Sequence, residues 1–269
     1  MMNLEPDVEQ AIGSLADCLR RSNIPYALIG ARVVEIMIDL KETNGRGFGF
    51  RGTADVDFAV RVGSWPEYQQ VLEKLMSCGF HMEEGAPEHR LFFGSVPVDI
   101  IPYGEDLLSG NTLIWPKSKH EMNMTGFGVL FGFAQEQAIG KGILAPVPPV
   151  PIAVFCKILT FLDRRFSRDL ADAVYMLAHY EAVSVSERRF ESYIPEDLPY
   201  EVRGAFLAGK DLSEMIPSED SALLTPIVEV LQQPPDVVVN EAIRASRISQ
   251  ADFVGLLRAF FAGLRLPSE

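Results

Sequence analysis

Two aspartates one residue apart, in "RGTADVDFAV" (51–60), are the first residues whose spacing points to chemistry. The second half of that stretch alternates in the manner of a strand. Successive strand side chains point to opposite faces, so Asp55 and Asp57 share a face, with Cα atoms roughly 6.6 Å apart. Val56 and Phe58 turn the other way, as residues entering a core do. Two carboxylates this close raise a pKa unless positive charge lies between them. A hard divalent cation such as Mg²⁺ or Mn²⁺ takes oxygen ligands and suits a carboxylate pair that also shares substrate phosphates. The plainer arrangement has one aspartate capping a turn and the other solvated at a strand end.

Two further positions bear on that choice. Asp99 lies in "VPVDIIPY" (96–103), where a carboxylate among Val, Ile and Pro is costly unless it is paired or bound to metal. Gly30 closes the apolar run "IPYALIGA" (24–31) and opens the next segment. A glycine there lets backbone N–H groups approach a phosphate, and a helix N-terminus favours negative charge. A simple strand-to-helix turn would need the same glycine. Three carboxylates on two strands facing a glycine turn form the plan of a two-metal phosphoryl or nucleotidyl transfer site.

The elements that must carry these residues follow from periodicity and punctuation. "EPDVEQAIGSLADCLRR" (5–21) spaces Val8, Ile12, Leu15 and Leu19 as a helix does. "RVVEIMIDL" (32–40) reads as a helix, "KETNGRGFGFRGT" (41–53) as a loop or hairpin tip. "WPEYQQVLEKLMSCG" (65–79) has a proline near its start and a glycine at its end, the marks of a complete helix. "FHMEE" (80–84), "HRLFFGS" (89–95) and "VPVDIIPY" read as strands, and "TGFGVLFGF" (125–133) as a further β piece. The proline cluster "APVPPVP" (145–151) is the expected domain boundary. Beyond it, "IAVFCKILTFLDRRF" (152–166), "RDLADAVYMLAHYEA" (168–182) and "SQADFVGLLRAFFAGLRL" (249–266) are helical, with a less regular segment at 190–248. The expected fold class is α+β: a mixed β-sheet with flanking helices over residues 1–148, then an α-helical domain over 150–269.

Composition bounds the function. The chain has 269 residues and a formal net charge of −13, which argues against a broad electrostatic footprint on DNA or RNA. No apolar run has the length of a membrane span. The opening "MMNLEPDVEQ" is acidic and polar, unlike a secretory signal peptide. Cys18, Cys78 and Cys156 are odd in number and far apart, as isolated reduced thiols in a cytoplasm would be. Cys78 and His81 form a lone CxxH without a second half. "WPKSKHE" (115–121) is the one modestly basic aromatic run, read as a solvated loop or an acceptor contact.

Taken in order, Gly30-Ala31, the segment Arg51-Gly-Thr53-Ala-Asp55-Val-Asp57-Phe58, Lys157 in "PIAVFCKIL" and Arg168-Asp169-Leu-Ala-Asp172 resemble the nucleotidyltransferase superfamily with the polymerase-β-like fold. Within it they are most similar to the AbiEii-type nucleotidyltransferase toxins. The resemblance spans about residues 24 to 181. It departs from the group in having Ala31 where a second glycine or serine stands, and in the longer spacing created by "LKETNGRGFGF". The resemblance implies that Asp55 and Asp57 hold Mg²⁺ and that Asp99 joins them as a metal ligand and as the base for an acceptor hydroxyl. It implies that Gly30, Ala31, Arg51 and Thr53 lie against the nucleotide phosphates. Lys157 and Arg168 would neutralise triphosphate charge, and Asp169 would orient a basic group or the acceptor. Apart from the resemblance, Lys157 is a lysine on an amphipathic helix, and Asp169 and Asp172 are first-turn acids that complement a helix dipole.

The resulting expectation is transfer of an NMP from NTP to an acceptor, either RNA such as tRNA or protein, in a cytoplasmic enzyme. As a toxin it would have an antitoxin or other basic partner. The competing readings are small-molecule transfer of the antibiotic-modifying type, and a degenerate site that acts by binding a nucleotide or partner.

Overall fold

The computed structural model describes residues 4–38, 53–140, 142–181, 187–216, 218–233 and 236–264. Contacts divide the chain into two compact units, residues 1–36 with 52–148, and residues 37–51 with 149–269. The fold class is α+β. The loop expected at 41–53, including Arg51, lies almost wholly outside the described residues.

The first unit is built on a four-stranded mixed sheet. Helix α1 (Pro6–Arg21) leads into β1 (Tyr26–Ile29), the short α2 (Arg32–Met37) and β2 (Val56–Arg61). Helix α3 (Trp65–Ser77) and β3 (Arg90–Phe93) precede β4 (Val96–Tyr103). The order across the sheet is β1-β2-β4-β3. Strand β2 runs parallel to β4 and antiparallel to β1, and β4 runs antiparallel to β3. A parallel pair needs a long crossover, which α3 and β3 supply. Because β2 and β4 are central, both are rich in β-branched and aromatic residues, and Val56, Phe58, Val60, Val98 and Ile100 are buried. Helix α1 covers this core with Val8, Ile12, Leu15 and Leu19, all buried at the expected helical spacing. Helix α3 starts where Ser64 accepts a hydrogen bond from the Glu67 N–H, with Pro66 just inside the first turn.

The rest of this unit is a three-stranded sheet, β5 (Leu108–Ser109), β6 (Thr112–Ile114) and β7 (Glu121–Asn123), then helix α4 (Phe127–Phe133) and the hairpin β8 (Gln135–Gly140) and β9 (Ile143–Val147). Four expectations are corrected here. Residues 127–133 form a helix, not a strand: a short apolar run has no period long enough to separate the two. Residues 80–84 make a single bridge, His81 to Phe92, and no strand. Cys18 and Cys78 are not isolated thiols. They form a disulfide across 60 residues of sequence, with Cα atoms 6.4 Å apart, and join α1 to the end of α3. Trp115 is buried against Trp65, Tyr68 and His89, so that aromatic is core and not an acceptor contact.

The second unit is helical: α5 (Val150–Arg164), α6 (Ser167–His179), α7 (Arg203–Met215), α8 (Ser218–Ser221), α9 (Thr225–Gln232), α10 (Val237–Ser246) and α11 (Gln250–Leu264). Helices α5 and α6 pack as a pair, and α7 packs on α11. That second contact is very close. A Cβ on Gly209 would lie 2.0 Å from the Phe260 carbonyl oxygen, and one on Gly263 2.1 Å from that of Phe206. The irregular-looking segment 190–248 thus holds three helices of eight residues or more. No helix among the described residues is long and apolar enough to cross a membrane.

Candidate nucleotide and metal site

The sheet register lines up the carboxylates. Asp57 on β2 lies directly beside Asp99 on β4, and Asp99 lies directly beside Arg90 on β3. Neighbours across strands share a face, so one row across the sheet reads Asp57, Asp99, Arg90. Asp55 sits two residues before Asp57 on the same face. At the other end of the row, Ile29 pairs with Asp57, which puts the turn after β1 against the Asp57 carboxylate.

That turn requires glycine on two counts. Gly30 has φ +75°, and a Cβ built on it would stand 2.0 Å from Oδ2 of Asp57. Gly30→Ala therefore adds left-handed strain of about 1–3 kcal/mol and pushes the Asp57 carboxylate out of place. The expected result is a lower melting temperature together with loss of nucleotide binding. Ordinary binding by a folded Gly30→Ala protein would separate the turn from the site.

Arg32 was not singled out from the sequence, although an arginine immediately after a glycine turn and before "VVEI" is a visible anomaly. It is buried, bonded to Glu35 at 2.5 Å, and its Nε donates to the Asp55 carbonyl at 3.3 Å. Its Nη2 is buried without a hydrogen-bond partner among the described residues. Arg32 so ties the glycine turn to the start of the aspartate pair. Thr53 Oγ1 accepts from the Asp55 N–H at 3.4 Å, a local turn that sets the entry to β2. Ala31 is buried beside the turn.

Among the described residues, Arg90 brings positive charge to Asp99 and Asp55. Its Nε and Nη2 donate to the two Asp99 oxygens at 2.7 and 2.8 Å, and Nη2 lies 3.7 Å from Oδ2 of Asp55. The Asp99 hydrogen bonds raise the Arg90 pKa further, against its partial burial, and Asp55 and Asp57 add to them. The Asp99 side chain is 11% exposed, that of Asp55 43%. His89 Nε2 stands 3.8 Å from Asp99. Burial holds the His89 imidazole below its usual pKa, Asp99 opposes this and Arg90 reinforces it. At neutral pH the ring is uncharged and the contact is not an ion pair.

Carboxylates are the ligands a hard divalent cation takes, and the register sets Asp57 beside Asp99, but no three His, Cys, Asp or Glu side chains among the described residues are grouped to hold a metal. The Asp55 side chain is 43% exposed, whereas Arg90 engages both Asp99 oxygens.

The second unit holds the other predicted residues. Lys157 on α5 bonds Asp169 at 3.1 Å and Asp172 at 2.9 Å, both on α6. Arg164 grips both oxygens of Asp169, at 2.9 and 3.0 Å. Burial pushes the Asp169 carboxyl up, but Lys157 and Arg164 outweigh it and hold it below the usual carboxylate range. These four residues clamp α5 to α6, and Lys157 would reach a phosphate only by giving up a carboxylate. Arg168 is exposed and lies over the Phe166 ring at 5.4 Å, with Arg164 over the same ring at 5.0 Å.

No protein-family profile matches the chain, and no curated protein does. Among solved structures, the chain is similar to the antibiotic-resistance factor ANT(2'')-Ia, at 13% identity over 83% of this chain and 93% of that one, with a TM-score of 0.36. It is similar to JHP933 of Helicobacter pylori, at 12% identity over 97% and 93%, with a TM-score of 0.40. A third is the CdnE c-UMP-AMP synthase of Rhodothermus marinus in a structure with Apcpp and Upnpp, at 12% identity over 100% and 96%, with a TM-score of 0.34. Likenesses of this size assign no chemistry to this chain.

Proposed function

We propose that the chain transfers a nucleoside monophosphate from an NTP to an acceptor hydroxyl. The observation that carries this reading is the register of Asp57 beside Asp99 on adjacent parallel strands, with Asp55 on the same face and Gly30 against Asp57. In this reading Asp55 and Asp57 hold Mg²⁺, which supplies positive charge against the triphosphate. Gly30 and Ala31 offer close backbone approach to the phosphates, Arg51 and Thr53 flank them, and Asp99 accepts the proton of the acceptor hydroxyl. For Lys157, Arg168 and Asp169 the support is the sequence motifs alone, which imply phosphate and acceptor contacts. The acceptor is RNA such as tRNA, or protein, and an RNA acceptor fits the likeness to nucleotidyltransferase toxins, which would bring an antitoxin partner. The net charge of −13 favours a second reading in which the acceptor is a small molecule, since a large polyanion would be repelled.

Calorimetry with ATP, CTP, GTP and UTP, with and without Mg²⁺, tests the site. The wild-type chain is expected to bind NTP only with the cation. Asp55→Asn with Asp57→Asn is expected to weaken that binding by about tenfold or more, ~1.4 kcal/mol, while the half-exposed position of Asp55 leaves the fold intact. Equal affinities in mutant and wild type would remove the proposal.

A further inference from the structure

We propose that residues 187–203 of the helical unit form a docking surface for a lysine- or arginine-rich segment of another protein. The proposal stands apart from the nucleotidyl-transfer reading and uses no residue of that site.

The segment has little regular structure, with one-turn 3₁₀ helices at Glu187–Phe190 and Tyr200–Val202. Its own basic residues nevertheless fasten it. Arg203 Nε donates to the Leu198 carbonyl at 3.1 Å, and its Nη1 to that of Arg189 at 3.0 Å. Arg189 is buried and donates to the Tyr180 carbonyl at 2.8 Å. Arg188 bonds Glu181 at 2.8 Å and Asp211 at 2.5 Å. Ile194 is buried as well. Each arginine of the segment is thus committed to a partner within the helical unit.

The groups left outward are of two kinds. Glu187, Glu191, Glu196, Asp197 and Glu201 are exposed, and among the described residues none of them is in an ion pair. Phe190, Tyr193 and Tyr200 are 63%, 37% and 43% exposed. The Phe190 and Tyr200 rings are neighbours, with centroids 5.7 Å apart. Single exposed aromatics are ordinary, but a group of them rimmed by polar residues marks an interaction site. Rings and carboxylates attract the same groups: a ring face draws a guanidinium or ammonium, and a carboxylate pairs with it. Rings of this segment already take cations from within the chain. Lys210 Nζ lies 5.0 Å from the Tyr193 centroid, and the Arg189 guanidinium 5.2 Å from that of Tyr200.

Charge selects the occupant. Nucleic acid or an anionic membrane surface would meet these carboxylates and be repelled. A second copy of this chain brings another net charge of −13. A basic protein segment meets opposite charge, and rings that receive both its cationic heads and its apolar stems. Because the arginines already fasten the backbone, little of the ordering cost of binding falls on this side of the interface.

The probe is a fluorescein-labelled peptide of alternating arginine and alanine, read by anisotropy as the full-length chain is titrated in. The ionic strength is about 0.15 M, where a Debye length of about 8 Å screens distant charge. The wild-type chain is expected to bind the peptide and not a labelled oligouridylate. Glu191→Gln with Glu196→Gln and Asp197→Asn is expected to weaken the peptide by about tenfold or more. Phe190→Ala leaves the charge unchanged and should weaken it by about two- to fivefold. Glu84→Gln with Glu105→Gln and Asp106→Asn removes the same charge from exposed positions in the other unit, and should stay within about twofold of wild type. Thermal melting checks that each variant is folded, and the triple variant of the segment carries the test should Phe190→Ala fail to fold. Absence of peptide binding by wild type overturns the proposal. So does an equal loss in the two triple variants, which would make the attraction a property of the whole acidic surface. Unchanged affinity in folded Phe190→Ala, or tighter binding of the oligouridylate than of the peptide, overturns it too.

Discussion

Asp99→Asn is expected to lower transfer by about 10²–10⁴-fold while Mg²⁺-NTP affinity stays within a few-fold of wild type. The two effects separate because a base and a metal ligand contribute at different stages. Removing a proton acceptor slows the chemical step and largely spares ground-state binding. In the proposed reading, Asp55 and Asp57 would still hold the cation. Asparagine keeps the shape of the aspartate but offers Arg90 one acceptor oxygen in place of two, so Arg90 is also loosened. Pyrophosphate release per folded molecule, nucleotide affinity and melting temperature should be measured on one sample. A lower melting temperature with unchanged turnover would make Asp99 a structural ion-pair partner and leave the site two carboxylates.

Lys157→Met is expected to destabilise the helical unit by about 3–5 kcal/mol, because it removes a cation from between two buried carboxylates. The side chains of Asp169 and Asp172 are 1% and 2% exposed, so solvent cannot replace the lost charge. Arg164 still grips Asp169 from the other side, so part of the ion-pair network survives. The same cluster sets an acid limit on stability. The folded Asp169 carboxyl titrates below its unfolded value, so its contribution is fully present above the unfolded pKa and is lost as pH falls through the folded one. Thermal melting between neutral pH and about pH 3 should show a steep acid loss in wild type and a shallower one in Lys157→Met. Equal acid slopes would show that the cluster does not govern this loss.

Local pattern was enough wherever one element decides its own form. The alternation in "ADVDFAV", the apolar run of "VPVDIIPY", and the proline and glycine that bracket α3 are written in neighbouring residues. So are the helical periods of α1, α5, α6 and α11, and these elements lie within a few residues of their expected bounds. The shared face of Asp55 and Asp57 follows from strand geometry alone. Short apolar runs were not decidable in this way. "FGVLFGF" is too brief to show a period, and it forms a helix.

Partners distant in sequence belong to the tertiary structure. Asp57 meets Asp99 because β2 and β4 pair in parallel, and the strand sequences do not encode that register. Arg90 meets Asp99 because a short antiparallel turn at 94–95 folds β3 back on β4. The sequence shows that the paired aspartates call for positive charge, and only the strand order brings Arg90 to Asp99 and within 3.7 Å of Asp55. The Cys18–Cys78 bond has the same origin, since spacing in the chain carries no information on which helices lie side by side. Lys157, Asp169 and Asp172 were visible as a motif. Their burial as a clamp between α5 and α6 was not, because the face a helix buries depends on the neighbour it meets.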